Sequence, residues 1–444
     1  MTSVMDKYLH AAESTDPMKC YGKVQRVKGQ LIEALGPQSV IGEVCLIEIP
    51  RKNEWIGAEV VGLDGNKVQL IPYDDVDGIE VASRIKATGE LLSIPVGSQL
   101  LGRVLDCRCR PLDGGPPIRS ADRRSVFQSP PNPMDRTPIN KKINTGIRSI
   151  DTLVAMGKGQ RMGIFAGSGV GKSTLLGMVA RYTSADVNVV SLIGERGREV
   201  REFLENELGP EGLKRSVVFV STSDTTSISR VRGAYSALAA AEFFRDQGKD
   251  VMLLFDSVTR LANAQREIGL SIGEPPATRG YTPSVFSLLP KLLERCGVAK
   301  TGTITGLFTI LVEGDDLDEP VSDTVRGILD GHIVLNRKLA EQNHYPAVDV
   351  LRSISRLANR VLPSQVREAA AIIRRHLAIY SEAEDLINAG AYVKGSNPEI
   401  DKALTLLPQI RAFLQQKIEE RADPLESMRQ IAKIAGISLP MEVS

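Results

Sequence analysis

Residues 166–173 read Ala-Gly-Ser-Gly-Val-Gly-Lys-Ser, between the apolar run Arg161–Phe165 and the helical run that opens at Gly171 (GKSTLLGMVARYT). Strand, glycine-rich loop and helix in that order form a phosphate cradle. Gly167, Ser168, Gly169, Val170 and Gly171 would curl so that successive N–H groups face one anion, and the helix N-terminus adds its partial positive charge. Lys172 is placed to reach the β- and γ-phosphates, and Thr174 closes the ATP-binding run. The Ser173 hydroxyl suits Mg²⁺, which prefers hard oxygen ligands. The strict pattern opens with Gly where this chain has Ala166. An unstrained backbone there needs only a small side chain.

Two further acids point to the same chemistry. The run Val251–Asp256 (VMLLFD) is apolar and ends in a carboxylate. A parallel strand delivers its last residue to the C-terminal edge of the sheet, where ligands of open α/β sheets bind. Asp256 is therefore expected to hold Mg²⁺ through a water; helix N-capping is the plain alternative. The run VNVVSLI leads into Gly194-Glu195-Arg196-Gly197-Arg198-Glu199. If that strand neighbours the phosphate-loop strand, Glu195 emerges at the same edge, placed to orient and polarise an attacking water. Glu199 and Glu202 are rivals further along the chain, and a solvated charge run is the plain reading.

The elements that must hold these groups are legible. Between Gly159 and Asn336, apolar runs alternate with helical patterns; the strands expected are Met162–Phe165, Val187–Ile193, Val217–Ser221, Val251–Phe255, Ile304–Val312 and His332–Leu335. Near-continuous apolar strands between helices imply a parallel sheet covered on both faces. Before them, Val44–Ile49, Trp55–Leu63 and Lys67–Pro72 alternate with a turn signal at Asp64-Gly65, which suggests a small barrel. Residues 111–138 are rich in Pro and Gly and read as a linker. The last part is helical, with Asn397-Pro398 and Asp423-Pro424 as helix starts and Gly390 and Gly436 as stops. The expected division is a short N-terminal segment (1–20), a β-barrel (21–95), an α/β ATPase core (96–346) and a helical C-terminal domain (347–444).

With 444 residues, about three domains are expected. Lys and Arg total 55 against 54 Asp and Glu, a net charge of +1, which argues against a strongly basic nucleic-acid binder. Five cysteines make no disulfide framework, and the four scattered histidines suggest no metal cluster. No secretory signal and no spanning helix are evident, so a reducing cytoplasm is the expected compartment.

In that order, AGSGVGKS, GERGREV and LLFDSVTR resemble the catalytic subunits of hexameric rotary-type ATPases. The segments DSVTRLANAQREIGLSIGEPPATRGYTPSVF, DTVRGILDGHIVLNR and GAYVKGSNPEIDKA are similar to the export ATPases of flagellar and virulence type III secretion systems; AGSGVGKS and GAYVKGSNPEIDKA favour the flagellar branch. The resemblance implies a β-barrel, a RecA-like core and a helical domain, assembled as a homohexamer. It implies that Tyr345 (YPAVD) stacks on adenine and that Arg356 (SISRL) is an arginine finger lent to the neighbouring subunit. It also implies that Arg196 and Arg260 help arrange the surroundings of Glu195. Expected partners are a dimeric stator-like regulator, a coiled-coil stalk protein facing residues 272–281, and exported proteins or their chaperones. The N-terminal segment would make peripheral contact with the cytoplasmic face of the inner membrane. The alternatives are a virulence secretion ATPase, a non-catalytic nucleotide-binding ring subunit, and an RNA translocase similar to the terminator Rho. The last would need exposed aromatics in basic grooves, and aromatics are only 5%.

Overall fold

Alternation of apolar and polar residues builds the N-terminal part. In a computed structural model that describes residue 5 and residues 21–312 and 319–439, six strands close into an antiparallel barrel. They are β1 (Tyr21–Lys28), β2 (Leu31–Leu35), β3 (Glu43–Ile49), β4 (Glu54–Asp64), β5 (Lys67–Pro72) and β6 (Arg84–Leu91), in the spatial order β1-β2-β5-β4-β3-β6. Strand β3 alternates between buried and half-buried positions throughout, as a period of two requires. Its inward residues Cys45 and Ile47 join Val24, Ile32, Val60, Leu70 and Ile85 in a core of the barrel's own. The expected turn after Asp64 is the two-residue hairpin Gly65-Asn66, with Asp64 paired to Lys67 and Gly65 at φ 57°. This unit also takes in residues 225–229 and 267–275. The expected N-terminal segment and its membrane contact lie outside the described residues, Met5 apart.

The second unit is built on a nine-stranded sheet. Its strands are β7 (Val104–Leu105), β8 (Arg161–Ala166), β9 (Val187–Ile193), β10 (Ser216–Ser221), β11 (Asp250–Asp256), β12 (Thr303–Leu311), β13 (Gly331–Leu335) and β14 (Val348–Ser355), with the short strand Gly297–Val298 beside β12. The order along the sheet is β14-β13-β8-β12-β11-β9-β10-β7. Neighbours run parallel except for β14 on β13 and the short strand on β12. All seven residues of β9 are buried, as a strand covered on both faces requires.

The sheet departs from expectation in two places. Strand β9 does not neighbour the phosphate-loop strand β8; β12 and β11 lie between them. The sheet also continues through β14, on the helical side of the expected boundary at 346/347. Beyond it, α6 (Ser364–Asn388), α7 (Pro398–Leu414) and α8 (Pro424–Ala435) form the helical part. Asn397 and Asp423 cap α7 and α8 as read, accepting from Glu399 N and Glu426 N, and Gly436 ends α8 in the left-handed region. The helices share one apolar core with the sheet: Ile373, Phe413 and Ile431 pack in the same cluster as Ile147, Ile164 and Leu176.

Other helices of the chain are α1 (Arg148–Leu153), α2 (Lys172–Tyr182), α3 (Ser227–Asp246), α4 (Val258–Ser271) and α5 (Pro283–Leu293). Arg295, just past α5, is 1% exposed and forks onto Glu242 of α3 through Nε–Oε1 (2.8 Å) and Nη2–Oε2 (2.9 Å), while Nη1 donates to Val126 O (2.8 Å). Replacing Arg295 with Ala leaves a buried carboxylate with only the longer Arg124 contact at 3.6 Å. Breaking a buried pair in this way costs about 3–5 kcal/mol. Urea unfolding of Arg295→Ala should show that loss; a midpoint close to wild type would mean that Glu242 is neutralised or resolvated.

Candidate active site

The phosphate loop leaves β8 at Ala166, an ordinary strand residue that is buried and paired with Leu311. Gly169 (φ 78°) and Gly171 (φ 89°) take left-handed backbone that L side chains disfavour, and a Cβ on Gly171 would sit 3.4 Å from the Tyr345 ring. Helix α2 starts at Lys172 with no side chain capping its first N–H groups. Those donors and the loop amides are available to an anion. Val170 is buried beneath the loop, while Ser168 and Ser173 are exposed. Thr174 Oγ1 donates to Glu207 Oε1 at 2.9 Å.

Lys172 gathers the site. Its Nζ lies 2.5 Å from Asp256 Oδ1 and 3.4 Å from Glu195 Oε1. Parallel pairing makes this possible: β8, β12, β11 and β9 end at one edge, where Leu192 stands opposite Asp256. Glu195 follows β9 through the left-handed Gly194, so it reaches Lys172 although its strand is not next to β8. On its other side Glu195 Oε2 is 3.4 Å from Arg260 Nη2, and Arg260 Nη1 donates to Gly194 O. Asp256 Oδ1 also accepts from Thr309 Oγ1 at 2.7 Å.

Burial pushes the Glu195 carboxyl up to about 7, helped by its hydrogen bond to Glu199 and by the Asp256 charge, against the pull of Lys172 and Arg260. Glu199, holding the other end of that hydrogen bond, is shifted down. A buried carboxylate poised near neutrality between two cations has the character of a general base. Ser173 and Asp256 carry a hydroxyl and a carboxylate of the kind that could hold Mg²⁺. No group of three or more His, Cys, Asp or Glu among the described residues could hold a metal ion.

Not every expected site residue joins this cluster. Arg196 is exposed on the rim and lies 3.7 Å from Glu199 rather than against Glu195. Glu202 pairs at the surface with Arg198, at 3.5 Å. Tyr345 stands at a cavity of about 790 Å³ that reaches Gly169, Gly171 and Thr174. Arg356 is elsewhere. It follows β14, whose Ser355 pairs with Gly331 at the start of β13, and β13 runs parallel to β8. Arg356 is thus at the opposite edge of the sheet from the phosphate loop, about 20 Å away by the length of a six-residue strand.

The comparisons with known proteins give the family and the fold. The profile of the ATP synthase alpha/beta family matches its nucleotide-binding domain to residues 146–355 and its beta-barrel domain to residues 24–89. The profile of the T3SS EscN ATPase C-terminal domain matches residues 362–433. A flagellum-specific ATP synthase of Treponema pallidum is 54% identical over 433 residues, 98% of this chain and 97% of the relative. The chain belongs to the flagellar and type III secretion branch of the ATP synthase alpha/beta family. The Bacillus subtilis flagellum-specific ATP synthase is also 54% identical to this ATPase, over 96% of the chain and 97% of the relative. A type 3 secretion system ATPase of Sinorhizobium fredii is 45% identical, over 96% and 94%. The assembled ATPase EscN from the enteropathogenic E. coli type III secretion system superposes with a TM-score of 0.88 at 43% identity, covering 93% of this chain and all of that one.

Sequence reasoning missed two parts of this ATPase's site. Thr309 is a fully buried hydroxyl inside the apolar run ITGLFTILV; a polar residue in a doubly covered strand was the available signal. The far wall of the cavity, residues 415–420, reads in sequence as an ordinary solvated stretch, QQKIEE, and carried none.

Proposed function

We propose that this ATPase hydrolyses Mg·ATP in a homohexameric ring and so energises protein export through the flagellar type III secretion apparatus. The observation that carries the chemistry is the Lys172 ammonium set between Asp256 and Glu195 at the mouth of the phosphate loop. Backbone amides of 167–171 and Lys172 grip the triphosphate. Ser173 and Asp256 hold the magnesium that enters with it, the latter through a water. Magnesium supplies charge neutralisation on the phosphates. Glu195 orients and deprotonates the attacking water. Tyr345 stacks on the adenine, and Arg356 serves the site of the next subunit.

The flagellar assignment rests on the two flagellum-specific relatives at 54% identity, against 45% and 48% for two type 3 secretion system ATPases. A virulence secretion ATPase is the second reading, favoured by the superposition on EscN. A non-catalytic ring subunit is disfavoured by the presence of Glu195 at the cluster. EscN has been seen in complex with its central stalk EscO, at a TM-score of 0.86 to this chain; a coiled-coil stalk protein is the corresponding partner here. A stator-like dimer, exported proteins or their chaperones, and the cytoplasmic face of the inner membrane complete the proposed setting. No helix among the described residues is long and apolar enough to cross a membrane.

The test is ATPase rate against protein concentration with mass measured in parallel. Specific activity should climb as the hexamer mass appears. Equal specific activity in a protein that stays monomeric would remove the shared site.

A further inference from the structure

The wall of the cavity opposite Tyr345 is the connection between α7 and α8, residues 415–423, which has no regular structure and exposes Gln415, Lys417, Ile418 and Glu419. Such a segment costs conformational entropy to hold in one place. Here it is held by named bonds. Arg148, the first residue of α1, donates from its guanidinium to both Glu420 carboxylate oxygens (Nη1–Oε1 2.5 Å, Nη2–Oε2 3.1 Å) and to Gln415 O (2.8 Å) and Phe413 O (3.2 Å). Its backbone N–H donates to Gln416 Oε1 at 2.9 Å. Gln416, 6% exposed, donates from Nε2 to Gly146 O (2.8 Å) and Glu420 O (2.7 Å), and from its backbone to Tyr345 O (2.9 Å). Ile418 O accepts from Tyr182 Oη (2.9 Å) and Arg181 Nη2 (3.0 Å), at the far end of the helix that begins with Lys172.

We infer that Arg148, with Glu420 and Gln416, is a positioning clamp that sets the distance between this wall and Tyr345, and so the width of the slot that receives the nucleotide's base. None of these groups need touch the phosphates. The same strap is tied to Tyr345 through Gln416 and to the phosphate helix through Ile418, so base slot and phosphate cradle keep one spacing. Multidentate guanidinium contacts fix geometry in a way that a single flexible ammonium does not. The surface ion pair alone would contribute little; the argument rests on the joint network. It depends on the reading of this cavity as the base site.

The experiment titrates the full chain with two probes in the presence of magnesium, ATP and inorganic tripolyphosphate, which has no base. Arg148→Ala should weaken ATP about tenfold while tripolyphosphate binding stays within about twofold of wild type. KM for ATP should rise in step, with kcat at saturation retained. Arg148→Lys should fall between the two. Glu420→Gln, nearly isosteric and the variant to use if Arg148→Ala does not fold, should shift ATP alone in the same direction. Unchanged ATP affinity in these variants, or equal loss of both probes, overturns the clamp. Tyr345→Ala separates the two readings. If it weakens ATP while the clamp variants do not, the base site stands and the clamp falls. If it too leaves ATP binding untouched, the base-site reading falls and takes the clamp with it.

Discussion

Arg356→Ala should assemble and bind Mg·ATP, yet its kcat should drop by about 10³–10⁵, the effect expected if the proposed arginine finger is removed from phosphoryl transfer. The reason is positional. Within one chain Arg356 lies at the sheet edge opposite Lys172, exposed, in a cavity lined by Asp323, Arg326 and His332. It follows β14 directly, with its backbone N–H on Asp330 O at 3.0 Å. An exposed guanidinium at the end of a strand, away from its own phosphate loop, is placed to serve a neighbour under the proposed reading. The decisive form of the test is mixing. Lys172→Ala inactivates the site that carries it but leaves Arg356 to lend, while Arg356→Ala leaves Lys172 in place. Each alone is inactive; mixed rings regain turnover at interfaces that join one intact half of each. A wild-type rate in Arg356→Ala, or no recovery on mixing under conditions where wild-type rings exchange subunits, places the finger on another residue.

How far the sequence announces its site follows from where each residue sits. The phosphate loop and the Asp256 strand are plain because local physics writes them. Left-handed backbone at Gly169 and Gly171 excludes most other residues, and the carboxylate that ends the apolar run of β11 stands out against its buried neighbours. Strand β14 is less plain: as an antiparallel edge strand it alternates irregularly between buried and exposed positions, and its sequence reads as the start of the helical part. The sheet order is not written locally at all. Whether β9 neighbours β8 or lies beyond β12 and β11 depends on crossovers that leave no mark on the strand itself; the condition of adjacency fails, yet the parallel strands still bring Glu195 to the same edge. Residues 415–420 are the extreme case. Their only distinction is what they touch, and Arg148, Gly146, Tyr182 and Tyr345 are all distant in sequence.

Glu195→Gln should hold Mg·ATP nearly as well as wild type and turn it over about 10²–10⁴ times more slowly, the usual contribution of a positioned general base. Its rivals separate by environment. Glu202 is 55% exposed and paired with Arg198, so Glu202→Gln should be close to wild type. Glu199 is hydrogen-bonded to Glu195 and pairs with Arg196, so its loss should act on Glu195 and not on the phosphates. The pH profile reads out that relation. A base must be deprotonated to accept a proton, and Glu195 is raised to about 7; competence is therefore present above that value and lost as pH falls through it. In the free protein this appears in kcat/KM as a rise through about pH 7. Removing Glu199 takes away the acceptor that favours protonated Glu195, so in Glu199→Ala the rise should move to lower pH while kcat on the plateau survives. A turnover near wild type in Glu195→Gln, or a rise that stays in place in Glu199→Ala, would assign the water to another group.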